Sequence, residues 1–132
     1  MQNIDMTLVN FKNLENFVLS SFLAMGLRNE DAKIFTDALM FSELRFHSGQ
    51  GQGVQRITTY YKRIKNKEVN INIDLDIVKE SSSLALVDAK NGIGTVQASK
   101  CMDIAISKAK NEGIGQVIIC LLYTSPSPRD GL

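Results

Sequence analysis

Apolar positions repeat at helical spacing in three successive blocks. Leu14, Phe17, Val18, Ser21, Phe22 and Met25 form the first stripe, with Asn10 or Asn13 placed to cap its start and Gly26 to close its end, and the spacing predicts a helix over 12–25. Asn29 followed by Glu30 and Asp31 puts a cap and two acids at the start of a second helix, predicted over 30–45, whose buried stripe is Ala32, Phe35, Ala38, Leu39 and Ser42. After a glycine-rich break, Val54, Ile57, Tyr61 and Ile64 mark a third, over 53–66, with Lys62, Arg63, Lys65 and Lys67 toward its exposed side.

The period then changes. Asp74–Lys79 and Ser83–Asp88 show the alternation and short apolar runs of strands. Asn91-Gly92-Ile93-Gly94 is a turn, and Thr95 is placed to cap a helix whose inward positions are Ala98, Met102, Ala105 and Ala109, ended by Gly113. Gly115–Ile119 reads as a buried strand. Three helices followed by strand, strand, helix and strand give an α/β (α+β) chain: an amino-terminal three-helix subdomain over 1–68, then the beginning of an α/β domain over 69–119. Residues 120–132 break the pattern. Both prolines of the chain, Pro126 and Pro128, fall there, and Ser-Pro-Ser-Pro disfavours helix at each residue that precedes a proline. The segment resembles translated adapter read-through, so it is expected to be a non-native tail and the fold to be truncated near residue 119.

Composition narrows the classes of function. Apolar residues are 44% of the chain and charged ones 22%, enough to build a core, and the formal charge of +1 sets up no field that would draw nucleic acid or an anionic membrane. No run approaches the length of a membrane span. Cys101 and Cys120 lack metal-ligand spacing and are too few for a disulfide framework, so no metal is expected and the compartment is read as reducing and cytoplasmic.

Chemistry concentrates between Glu43 and Tyr60. Gly49, Gly51 and Gly53 lead into the third helix, a pattern that fits a loop receiving a carboxylate or phosphate, or an ordinary helix–helix turn. His47 is the only histidine, a candidate for proton transfer or a structural residue. With the third helix starting near Gln52, the residues Gln52, Arg56 and Tyr60 stack on one face about 120° from the apolar stripe. A guanidinium there suits bidentate capture of a carboxylate, and a phenol suits donation to a hydroxyl or carbonyl oxygen; a solvated face is the plainer reading. Gly92-x-Gly94 is not a dinucleotide fingerprint, because the third glycine position holds Gln97. Lys62, Arg63, Lys65 and Lys67 leave an alternative, a small helical binding module with a basic face.

Taken in order, Met25-Gly26-Leu27, Glu30-Asp31-Ala32, Ser42-Glu43-Leu44-Arg45, Gly53-Val54-Gln55-Arg56 with Tyr60, Leu86-Val87-Asp88, Asn91-Gly92-Ile93-Gly94, Ala105–Ala109 and Gly113-Ile114-Gly115 resemble the amino-terminal part of the malate/L-lactate dehydrogenase family, which includes ureidoglycolate and sulfolactate dehydrogenases and is distinct from the Rossmann lactate dehydrogenases. The resemblance covers residues 6–119. It implies a helical substrate-side subdomain and a cofactor-binding α/β domain. The activity implied is hydride transfer between NAD or NADP and a 2-hydroxy acid such as malate, lactate or ureidoglycolate, or a related 2-imino acid. It further implies a small-molecule 2-hydroxy or 2-oxo acid partner, a homodimer in the complete protein, and Arg56 and Tyr60 on the substrate side. Family members carry Gly-His-x-Ser-His-Gly-Val before the arginine; here Gln52 stands at the second histidine's position and His47 lies further upstream. The family's His-Phe-Gly would follow the last strand, where this chain enters its tail, so the 132-residue chain itself is expected to be inactive.

Overall fold

A computed structural model describes residues 8–45 and 53–120. Three helices come first: α1 (Phe11–Ala24), α2 (Asn29–Leu44) and α3 (Arg56–Lys65). Two strands follow, β1 (Asp76–Glu80) and β2 (Leu84–Asp88), and then α4 (Gly94–Glu112) and β3 (Gln116–Cys120). The α/β class expected from the sequence is what forms.

Helix ends follow the expected chemistry at some points and depart from it at others. Asn10, of the two asparagines available, caps α1, its Oδ1 accepting from the Asn13 N–H at 3.1 Å. Gly26 and Gly113 take positive φ, +93° and +79°, just past the ends of α1 and α4, where a Cβ would be strained. Asn29 does not cap α2: it is the first helical residue, Arg28 occupies the cap without a side-chain bond, and the Arg28 N–H is satisfied from a distance by Asn72 Oδ1 at 2.7 Å. Thr95 likewise lies inside the first turn of α4, and the cap position is Ile93.

The larger core joins the helical layer to the start of α4. Val18 and Phe22 of α1 meet Phe35, Leu39 and Met40 of α2, with Tyr60, Val69, Ile93 and Val96 closing the cluster. Phe22 and Phe35 stack at 4.5 Å between centroids, and Tyr60 meets Phe35 edge to face at 4.6 Å. Each such pair adds about 0.5–1.5 kcal/mol beyond the area it buries.

The sheet has the order β1-β2-β3, with β1 antiparallel and β2–α4–β3 a parallel crossover. Ala85 and Val87 of β2 point at α4 and pack on Cys101, with Val117 and Ile119 beside them. The opposite face is open: Leu84, Leu86 and Ile118 border a hollow of about 280 Å³. So β3, expected as a buried strand, is covered on one face only, with Ile118 54% exposed, and it takes in Cys120, which pairs with Asp88. No helix among the described residues is long and apolar enough to cross a membrane.

Candidate functional site

The segment singled out by the sequence lies where α2 ends and α3 begins. His47 and Gln52 lie outside the described residues. On the near side of the loop, Glu43 in the last turn of α2 reaches across eleven positions to accept the Val54 N–H on Oε2 at 2.9 Å. The Arg56 and Ile57 N–H groups donate to Gly53 and Val54 carbonyls at 3.1 Å each. A carboxylate is favoured at the positive end of a helix, and here Glu43 already supplies it. The amides of residues 54, 56 and 57 are therefore spent inside the protein, while the rest of the glycine-rich loop, residues 46–52, lies outside the described residues. Arg56, the candidate read from the sequence, is the first residue of α3.

α3 starts at Arg56, four residues later than a start near Gln52 requires. The helix also turns differently from the expected stripe. Tyr60 is buried at 5% exposure against Phe35, whereas Tyr61 is 51% exposed. Tyr60 is thus part of the core and not of a separate polar face. Its ring still underlies the candidate chemistry. The Arg56 guanidinium carbon lies 5.7 Å from the ring centroid and that of Arg63 lies 5.8 Å from it, distances at which a cation is attracted to the ring. Arg56 and Arg63 are half-buried, while Lys62, Lys65 and Lys67 are exposed. The basic cluster read from the sequence therefore splits, with Arg63 turned toward Tyr60.

A second polar cluster was invisible in the sequence pattern. Asp31, expected only as an acid favouring the start of α2, is buried at 2% exposure. Its Oδ2 accepts from Arg28 Nε at 2.9 Å and its Oδ1 from Lys100 Nζ of α4. Arg28 also donates to Asp74 Oδ1 at 2.7 Å and to the Ile73 carbonyl at 3.0 Å. The bond to Asp74 pushes the guanidinium pKa above its ordinary value, against a smaller opposing effect of burial, and Arg28 in turn holds the Asp74 carboxyl below the usual range. Through Lys100 of α4 and through Ile73 and Asp74, this cluster ties the start of α2, α4 and the 72–74 segment together. It is a structural clamp.

The turn at Gly92 is equally structural. Its N–H donates to the Ala89 carbonyl at 2.8 Å, and a Cβ there would come within 2.8 Å of Gln97 Nε2. The buried Gln97 side chain fills the space above the turn and donates to the Ile73 carbonyl at 3.3 Å. A pyrophosphate needs that space open and the amides unspent, so these residues do not fit a dinucleotide. Burial pushes the Cys101 thiol up, away from the reactive thiolate. Among the described residues no group of three or more His, Cys, Asp or Glu is placed to hold a metal.

The sequence profile described as malate/L-lactate dehydrogenase matches residues 9–122. The chain is 37% identical to malate dehydrogenase from Pyrococcus horikoshii over 105 residues, 80% of this chain and 29% of that protein. It is 35% identical to L-sulfolactate dehydrogenase from Methanocaldococcus jannaschii over 106 residues, 80% of this chain and 30% of that one. The fold is similar to the solved structure of the Pyrococcus horikoshii enzyme with a TM-score of 0.79 at 36% identity, covering 84% of this chain and 31% of the other. The chain thus spans about 30% of the length of the relatives it matches.

Proposed function

Because the chain belongs to the malate/L-lactate dehydrogenase family, we propose that it is the substrate-side part of an oxidoreductase that moves a hydride between a nicotinamide cofactor, NAD or NADP, and C2 of a 2-hydroxy acid. The relatives named for malate, sulfolactate and hydroxycarboxylate support that substrate class. A homodimer and a cytoplasmic location accompany the reading as expectations from the family resemblance.

The observation that carries the proposal is the placement of Arg56. It begins α3 where Glu43 pins the preceding turn, and it leans over a Tyr60 ring that the core holds rigid. A planar, permanently charged fork held this way fixes a carboxylate in plane and register, and so fixes the adjacent C2. Tyr60 serves as the platform under that fork. His47 is the candidate proton carrier, and Gln52, whose amide does not titrate, is a candidate hydrogen-bonding group at the family's histidine position.

The test is a hybrid in which residues 9–120 replace the matching segment of the Pyrococcus horikoshii malate dehydrogenase. Arg56→Lys in that hybrid keeps the charge and loses the fork; KM for malate should rise and kcat/KM fall by about 1.5–3 kcal/mol. Kinetics indifferent to the substitution reject the role. The 132-residue chain by itself is expected to be inactive as a dehydrogenase and to bind neither NADH nor NADPH. A fluorescence titration checks this, and a dissociation constant in the micromolar range would mean that the chain holds a cofactor site that Gly92 and Gln97 do not reveal.

A further inference from the structure

Asn91-Gly92 is the one Asn-Gly pair of the chain. In such a pair the backbone nitrogen of the glycine, with no side chain beside it, can reach the carboxamide carbon of the asparagine, so the dipeptide is chemically labile wherever the backbone is free to turn. Here it is not free. Lys90 and Asn91 both stand at positive φ, +47° and +56°, a conformation that costs a residue with a side chain and persists only where its surroundings hold it. The holding bonds come from a distant segment. Asn70 donates its Nδ2 to the Lys90 carbonyl at 2.7 Å and its backbone N–H to the Asn91 carbonyl at 3.0 Å, while Asn91 Nδ2 donates to the Glu68 carbonyl at 2.8 Å. Gly92 is buried, and its N–H is donated to the Ala89 carbonyl at 2.8 Å. Both groups that would react with one another are therefore engaged elsewhere.

The restraint is local. Residues 67–72 belong to no helix or strand, carry two further positive φ angles at Lys67 and Asn72, and join Gly92 through an isolated bridge at Asn70. Val69 anchors the segment in the helical core, but Glu68 and Asn70 on either side of it are exposed. Segments held by water-accessible hydrogen bonds open at lower free energy than the core. We propose that Asn91 is a modification site, deamidated spontaneously when the 68–70 segment detaches from it. Once released, the Gly92 nitrogen gives up its proton and bonds to Asn91 Cγ; the Cγ–Nδ2 bond breaks, and ammonia leaves with that proton. Water then opens the succinimide ring at either carbonyl, leaving aspartate or isoaspartate. The clasp does not re-form. A carboxylate stands where Nδ2 donated, so two acceptors with no proton between them meet at the Glu68 carbonyl. In isoaspartate the main chain is also one carbon longer through the turn, which removes the register of the Asn70–Gly92 bridge.

The experiment keeps the full 132-residue chain folded at mildly alkaline pH beside a peptide of residues 88–94, with conversion followed by mass spectrometry. The folded chain is expected to convert more slowly than the peptide by about tenfold or more. Equal rates overturn the protection. Asn70→Ala removes one exposed side-chain bond, leaves the dipeptide intact and should raise the rate several-fold; Gly113→Ala, which strains the end of α4 away from this turn, should leave it near that of the unaltered chain. No acceleration in Asn70→Ala, or the same acceleration in both, overturns the local release. Amide hydrogen exchange in the unaltered chain reads the same opening without any variant: Gly92 should be less protected than the amides of β2, and equal protection overturns the local release as well. Asn91→Asp reproduces one product and should lower the urea midpoint. An unchanged midpoint overturns the loss of the clasp.

Discussion

Gly115→Ala is expected to destabilise the chain by about 3 kcal/mol or more, the upper end of what an added methyl costs in a packed interior. A Cβ at this position would come within 2.0 Å of the Ala105 carbonyl oxygen and 2.9 Å of both the Ala105 carbonyl carbon and the Ala109 nitrogen. All three atoms are helix backbone, so no side chain can rotate out of the way. Relief requires lifting α4 from β3, which would uncover Cys101, Val87 and Val117 together. Gly113→Ala is the control. It lies two residues earlier at φ +79° with nothing within 4 Å of its Cβ, and should cost only the strain of a side chain in the left-handed region, about 1–2 kcal/mol. Urea denaturation of the two variants measures both. Equal losses would mean that the helix and strand are not in rigid contact.

Asp31→Ala is expected to cost about 3–5 kcal/mol, the scale for removing one partner of a buried ion pair. The side chain of Asp31 is 3% exposed and that of Lys100 15%, so the ammonium left behind is poorly reached by water. Arg28 keeps its bonds to Asp74 and Ile73, and the damage should therefore centre on Lys100. Adding Lys100→Met removes the stranded charge and should recover part of the loss, which a double-mutant cycle in urea quantifies. A change within about 0.5 kcal/mol for Asp31→Ala, the range of ordinary surface substitutions, would show the clamp to be incidental.

These two sites and the candidate substrate site differ in how far the sequence discloses them. Element type and order were legible throughout, because hydrophobic period distinguishes helix from strand without reference to partners. The left-handed stops at Gly26 and Gly113 were legible because they follow from local sterics. Arg56 was legible as a candidate because its residue type and its position beside a glycine-rich loop are written in the chain, and Arg63 was visible only as one of several surface cations. Which member of a stripe enters the core was not legible. From Ile57, both Tyr60 and Tyr61 sit at permitted spacings, and only the edge-to-face fit on Phe35 selects Tyr60. The same choice sends Val18 inward and leaves Phe17 61% exposed, and it buries Cys101 while Met102 is 59% exposed. Adjacent residues differ by about 100° around a helix, so a small rotation set by the neighbouring element decides between them. The bond from the Arg28 N–H to Asn72, the occupation of the Val54 amide by Glu43 and the pairing of Asp31 with Lys100 share one cause: each depends on a partner distant in sequence. The sequence by itself determined the elements, their order and the chemical types available at the candidate site. The tertiary structure alone decided which helical face is inside, and through Tyr60 it placed two arginines over one ring, because rotation and distance between helices are set by the packing of side chains from separate parts of the chain.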